Sequence, residues 1–387
     1  MAESNWSVPE TEVVQRVHER LDADGTDVLA TIVDVEGNAY RRPGAKMLLD
    51  DGGPGVGAIT AGCLEDELRA AADGVRGRGT PETVTYDLME DEEDVWGLGV
   101  GCNGVIDVLL EPLDESYRRV VEAFADGRDV AVLTVLSGGA KFAHGDRAYY
   151  YPDEDRLVGA DGETSTEWPA DALSGVADDL AGRGRADVVA VDVDGKTVEV
   201  FVDGIAAPSD LVVFGTGHDV GPVTEFAAKN DFRVTVVGFR GGVDVADRFP
   251  HADRTVTTSP GQVAADVDLD ERTYAVVMTH NFVDDRLAVE ALLASPAPYV
   301  GLMGPRERFE EMLEAFADEG RTFDDEALES LYTPVGLDLG GGSPYQIAHS
   351  IVAEVLAVEN DRRPRHLRER EGHIHDRVDA APDAPSQ

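Results

Sequence analysis

From about residue 208 onward the chain alternates strand, turn and helix, and this constrains its fold more than any other feature. "DLVVFGTGH" runs apolar into glycine, "GPVTEFAAKN" carries a helical pattern, and "FRVTVVGF" is a strand again. "ERTYAVVMTHN" leads into the helix "DRLAVEALLA", and "APYVGLMG" leads into "PRERFEEMLEAFADEG". Such alternation predicts a doubly wound, Rossmann-like parallel sheet with helices on both faces. A last helix is marked by Ser343 and Gln346 in a capping-box pattern around Pro344, ahead of "IAHSIVAEVLAVEN".

The preceding 200 or so residues read differently, as two similar α+β half-units about 100 residues apart. "DVLATIVDVEG" is matched by "DVAVLTVLSGG", and "ELRAAADGVRGRG" by "ALSGVADDLAGRG". "GVIDVLLEPLD" is matched by "KTVEVFVDGIAAP". The expected segments are therefore 10–115, 116–207 and 208–360, with a charged, aperiodic tail over 361–387 read as disordered. The chain is α/β overall: an α+β part with an internal repeat, then the Rossmann-like sheet. Only the first half-unit carries "RRPGAK", "TAGCLED" and "GLGVGCNG", so chemistry is expected there and scaffold in the second.

Charge narrows the partners. There are 77 acidic and 33 basic residues, a net charge of -44, and the acid is spread along the whole chain. Nucleic acid and anionic membrane surfaces are repelled by such a field. No apolar run approaches the roughly 18 residues that span a bilayer, and no signal-like N-terminus is visible. A cytoplasmic location is expected, in a cytoplasm rich enough in salt to screen the self-repulsion of a halophilic surface. The 2 cysteines cannot make a disulfide framework or a four-cysteine zinc site.

Four places can carry chemistry. Cys63 is expected to begin a helix, where the helix field favours thiolate, although Glu65, Asp66 and Glu67 oppose that field. Cys102 lies among glycines whose amides can approach a bulky ligand, and a soft thiolate suits molybdenum or sulfur chemistry. Arg41, Arg42 and Lys46 cluster at a Pro-Gly turn that includes Gly44, which suits an anion or salt bridges to neighbouring carboxylates. "FGTGHDVG" resembles a dinucleotide fingerprint through Gly215 and Gly217, but Val220 stands where the third glycine belongs. Asp219 can cap the helix and compete with a pyrophosphate. The second strand ends in Gly238 instead of an acid, with Arg240 close by, which leans toward NADP over NAD or toward no dinucleotide. His218 and His280 are expected at the carboxyl ends of the strands, with Arg306 and Arg308 at a helix start.

"RRPGAKMLL", "AGCLE" and "EDVWGLGVGCNGVIDVLLEPL" resemble the N-terminal domain of the XdhC/CoxI family, the xanthine dehydrogenase accessory proteins. "VVFGTGHDVGPVTEFA", "VMTHN", "YVGLMGPRER" and "PVGLDLGGGSPYQIAHSIVAEVLAV" resemble its C-terminal Rossmann domain. The resemblance implies a carrier of molybdenum cofactor (molybdopterin) that shields it during sulfuration by a cysteine desulfurase and assists insertion into a molybdenum hydroxylase. It carries over Cys63 and Cys102 as metal-side ligands, with Arg42, Gly44, Lys46 and His218 around the cofactor; a homodimer is compatible with it. Two departures stand out: "GNAY" precedes the arginines where the family is serine-rich, and Gly238 replaces the usual Asp. An NADP-dependent oxidoreductase, with Arg240 reading the 2′-phosphate and His280 as acid–base, is the second reading. A nucleotide-sensing module is the third.

Overall fold

The computed structural model describes residues 7–88, 104–239 and 245–369, apart from positions 24, 38, 52, 54, 140 and 166. Cys102, Arg240 and the tail from 370 on lie outside the described residues. The chain divides into two compact units, one up to residue 207 and one over 208–369.

The first unit begins with helix α1 (Glu10–Leu21). Strands β1 (Val28–Gly37), β2 (Lys46–Leu49) and β3 (Val56–Gly57), helix α2 (Glu65–Arg78), then β4 (Glu82–Asp87) and β5 (Gly104–Pro112) follow. After helix α3 (Arg118–Ala125) the same series recurs: β6 (Val130–Ser137), β7 (Arg147–Tyr151), β8 (Arg156–Gly159), helix α4 (Ala170–Arg183), β9 (Ala186–Val193) and β10 (Lys196–Ile205). The sheets run β3-β2-β1-β5-β4 and β8-β7-β6-β10-β9, so the repeat holds at the level of topology. All pairings within them are antiparallel.

The repeated Gly-Arg-Gly stretches are helix stops. Gly79 (φ +68) ends α2 and Gly184 (φ +54) ends α4, both in the left-handed conformation that glycine adopts at least cost. Each helix buries one stripe on its own sheet: Leu68, Ala72 and Val75 from α2, and Leu173, Ala177, Leu180 and Ala181 from α4. The opposite faces of the two sheets pack together. Leu29 and Leu48 meet Val132, Tyr149 and Ile205, sealed by Val17 of α1 and Val120 and Val121 of α3. The layers therefore run helix, sheet, sheet, helix.

The two halves exchange charged partners across that interface. Lys46, at the start of β2, pairs with Asp203 of β10 at 2.7 Å. Arg147, at the start of β7, pairs with Glu111 of β5. These positions correspond: Lys46 sits opposite Thr31 as Arg147 sits opposite Thr134, and Glu111 opposite Leu29 as Asp203 opposite Val132. The cation of each half binds the acid of the other, the reciprocal pattern of an isologous interface. The second half thus supplies the buried partner of Lys46, a cation of the first half's Pro-Gly turn.

The second unit has one six-stranded sheet. Its strands are β11 (Asp210–Phe214), β12 (Arg233–Gly238), β13 (Arg254–Thr257), β14 (Thr273–Val277), β15 (Tyr299–Leu302) and β16 (Leu331–Tyr332). The order β13-β12-β11-β14-β15-β16, parallel throughout, is the Rossmann order with its reversal between β11 and β14. Helices α5 (Val220–Ala228) and, later in the chain, Pro344–Glu359 cover one face through Val223, Ala227, Ile351 and Val355. The Ser343 capping box on that last helix is formed as expected. The short turns α6 (Val245–Arg248) and α7 (Val263–Asp266) precede α8 (Phe282–Leu293) and α9 (Arg306–Asp318), and α7 to α9 cover the other face. The short α10 (Asp325–Glu329) makes the Pro344–Glu359 helix α11. No described helix is long and apolar enough to cross a membrane.

Candidate functional site

Cys63 does not begin α2. It stands two residues ahead of Glu65, the first helical residue, with Leu64 at the N-cap. The turn before it is closed by two buried side chains, Thr60 and Glu65. Thr60 Oγ1 donates to Glu65 Oε1 at 3.0 Å and accepts the Cys63 amide at 3.1 Å. Glu65 accepts the amide of Gly62 at 3.1 Å and that of Leu64 at 3.0 Å. Gly62 has φ +114 with open space where a Cβ would stand, so glycine is required there by the backbone alone. The Cys63 thiol is half-buried and free.

This geometry explains the acidic first turn. Glu65 folds back and satisfies amides that a helix start leaves without partners. Asp66 and Glu67 face solvent. The amides of residues 62 to 64 are all occupied, so the turn fixes the Cys63 backbone and leaves none of them to bind a thiolate. Cys102, its expected counterpart, falls outside the described residues.

The cationic turn is drawn into the unit. Arg41 forms an ion pair with Glu10 of α1. Lys46 is 8% exposed, and its Nζ donates to the Gly44 carbonyl at 2.9 Å as well as pairing with Asp203. Burial pushes the Asp203 carboxyl above its ordinary range, while the Lys46 and Arg147 charges pull it back. Gly44 has φ +92, and a Cβ there would lie 3.2 Å from Ala186 Cβ. Arg42 lies at the surface, its carbonyl accepting the Ala45 amide at 3.2 Å.

In the second unit the candidate residues meet at the carboxyl edge of the sheet. Gly215 (φ +143) passes so close to β14 that a Cβ would be 2.6 Å from the Met278 carbonyl oxygen. Asp219 stands at the N-cap of α5 but makes no side-chain capping bond. Its Oδ2 instead meets His280 Nε2 at 2.8 Å. Val220, in place of the third fingerprint glycine, is fully buried in the core, and Gly221 opens onto empty space. His218 is exposed, and the partner of His280 is Asp219. Asn281 caps α8, accepting amides from Val283 and Asp284. Arg308 is engaged by the buried Asp285, while Arg306 is exposed.

Among the described residues no group of three or more His, Cys, Asp and Glu side chains is placed to hold a metal ion. Thr60 and Asp203 were not singled out from the sequence, and Glu65 was read there only as an acid opposing the helix field, not as a buried acceptor of the turn's amides. In a chain with 77 acidic residues, single carboxylates carry no local signal of burial.

Comparisons with known proteins fall on both units. The XdhC and CoxI family matches residues 20–87, which hold the cationic turn and Cys63. The XdhC Rossmann domain matches residues 211–355, which hold Asp219 and His280. A protein of Bacillus subtilis (strain 168) named as a probable subunit of xanthine dehydrogenase is 29% identical over 345 residues, 88% of this chain and 96% of that protein. An uncharacterized protein, YqeB, of Escherichia coli (strain K12) is 27% identical over 180 residues, 46% of this chain and 32% of that one. The crystal structure of a xanthine dehydrogenase from Bacillus halodurans superposes with a TM-score of 0.72 at 29% identity, covering 91% of this chain and 96% of that one. With matching domains in order on the two units, and relatives alike over most of its length, the chain belongs to the XdhC and CoxI family.

Proposed function

We propose that this protein serves a xanthine dehydrogenase-type molybdenum hydroxylase as an accessory protein: it holds the molybdenum cofactor, presents it to a cysteine desulfurase for sulfuration, and delivers it to the enzyme. The observation that carries this is the Cys63 turn, a free thiol on a backbone fixed by Thr60 and Glu65 within the segment matched by the family. Two relatives that span nearly the whole chain are named as a xanthine dehydrogenase or as part of one, which supports service to such an enzyme.

The residues fit the cargo in part. A thiolate is a soft donor matched to molybdenum and sulfur, and a rigid turn limits the entropy lost when it engages a ligand. Bound cofactor would supply the molybdenum centre at which sulfur is installed. Cys63 would face the metal side, with Cys102 as its counterpart. Lys46 fits poorly as a phosphate ligand, because Asp203 already neutralises it inside the unit.

The test is molybdenum and pterin analysis of the protein purified from cells that make the cofactor, together with reactivation of apo-hydroxylase. Stoichiometric molybdenum with pterin is expected, falling sharply in Cys63→Ser. Undiminished loading and reactivation by Cys63→Ser would remove the thiol from the site. Protein without molybdenum or pterin would reject the carrier reading.

A further inference from the structure

In a dinucleotide fingerprint the second glycine is bare so that a pyrophosphate can approach the backbone. Here that space is filled from within the chain. A Cβ built on Gly217 would lie 2.3 Å from Asp219 Oδ1, so the carboxylate already stands against the open side of the glycine. The other oxygen, Oδ2, is held by His280 Nε2 at 2.8 Å. Asp219 follows β11 and His280 follows β14, the two strands between which the sheet order reverses. The pair therefore bridges the crevice where ligands of such sheets bind.

The bridge is supported from below. His280 has φ +61, the left-handed region that a non-glycine residue adopts only at a cost. Its neighbour Thr279 donates both its amide and its hydroxyl to Asp285, which is 1% exposed and ion-paired with Arg308. Thr279 Oγ1 also accepts the Asn281 amide at 3.1 Å. A part-buried network on Thr279 and Asn281, anchored on the buried Asp285, thus flanks His280, whose 57% exposed side chain reaches Asp219. Asp219 makes no capping bond to α5, and its Oδ2 meets His280 instead.

We propose that Asp219 is a built-in occupant of the phosphate subsite at the switch point. Its carboxylate takes the place of a dinucleotide pyrophosphate, His280 fixes it there, and the unit rejects NAD and NADP while the pair is closed. Asp219 acts in two ways. Its bulk fills the space beside Gly217, and its charge repels a phosphate brought alongside. This proposal is independent of the role given to Cys63, which belongs to the other unit.

The test is binding of NADH and NADPH to the full chain, followed by cofactor fluorescence at one fixed salt concentration. Asp219→Gly removes bulk and charge and is expected to bind at least one of the two at least tenfold tighter than the unaltered chain. Asp219→Asn keeps the shape and removes the charge, and is expected to fall between them. If Asp219→Gly does not fold, Asp219→Asn alone must tighten binding at least threefold. Equal affinity in all three proteins, weaker binding in the variants, or no binding by any of them would overturn the proposal.

Discussion

The Lys46–Asp203 pair offers a sharp test of how the first unit is held together. The two side chains are 10% and 6% exposed and their charged atoms are 2.7 Å apart. At an effective dielectric near 20, two unit charges at that distance attract by about 6 kcal/mol. Removing both from water costs several kcal/mol per ion, so the intact pair is worth little more than apolar side chains of the same shape. Breaking it is another matter. Lys46→Met would leave a buried carboxylate whose Oδ1 already makes no hydrogen bond among the described residues. Asp203→Leu would leave a buried ammonium with the Gly44 carbonyl at 2.9 Å. Each single substitution is expected to cost about 3–5 kcal/mol, and the double variant much less than their sum, a coupling of about 3 kcal/mol. The assay is urea unfolding at fixed salt followed by tryptophan fluorescence, which reports this unit because Trp6, Trp96 and Trp168 all precede residue 208. Single-variant costs below about 1 kcal/mol, with coupling below about 0.5 kcal/mol, would refute the clasp. Full stability in Lys46→Met with loss of bound cofactor would return the lysine to the role the family resemblance implies.

Asp27 is 3% exposed; burial works to raise its carboxyl pKa, but hydrogen bonds from Arg20 and the Asp51 amide, with the Arg20 and Arg76 charges, hold it below the ordinary value. A depressed carboxylate contributes stability that is present above its unfolded pKa, near 3.9, and lost as pH falls through its folded value. Asp27→Asn should therefore cost about 2 kcal/mol near pH 7 and progressively less below about pH 4, measured by urea midpoints; a cost independent of pH would contradict this. Gly204→Ala would put a Cβ 2.0 Å from the Leu180 carbonyl oxygen in α4, so a loss of about 3 kcal/mol or more is expected. Gly182→Ala, in the same helix with nothing within 4 Å, should instead gain about 0.5–1 kcal/mol; equal effects would show that α4 is not seated against β10 as described. With a net charge of -44, the melting temperature should fall steeply on dialysis into dilute buffer, where the screening length grows to about 30 Å at 0.01 M. An unchanged melting temperature would show that salt screening is not needed.

Local pattern was enough for much of this fold. The βα alternation from residue 208 identified the parallel sheet, because apolar periodicity and turn residues act over a few positions. Repeated Gly-Arg-Gly stretches marked the ends of α2 and α4, and Ser343 with Gln346 marked the start of α11, because caps are written beside the helices they serve. The duplicated half-units were visible for the same reason, and their shared strand order follows. Partner choice was not visible. Lys46 and Asp203 lie 157 positions apart, and Asp219 and His280 lie 61 apart. In a chain this acidic a carboxylate gives no local sign of whether it faces water or a buried cation. The sequence by itself determined which segments become strands and helices and where they stop. Only the tertiary structure decided that Glu65 turns back to lock Cys63, that Asp203 takes the charge of Lys46, and that Asp219 fills the space beside Gly217. Those outcomes depend on register and on the packing of sheet against sheet, which bring distant side chains together only after the backbone is in place.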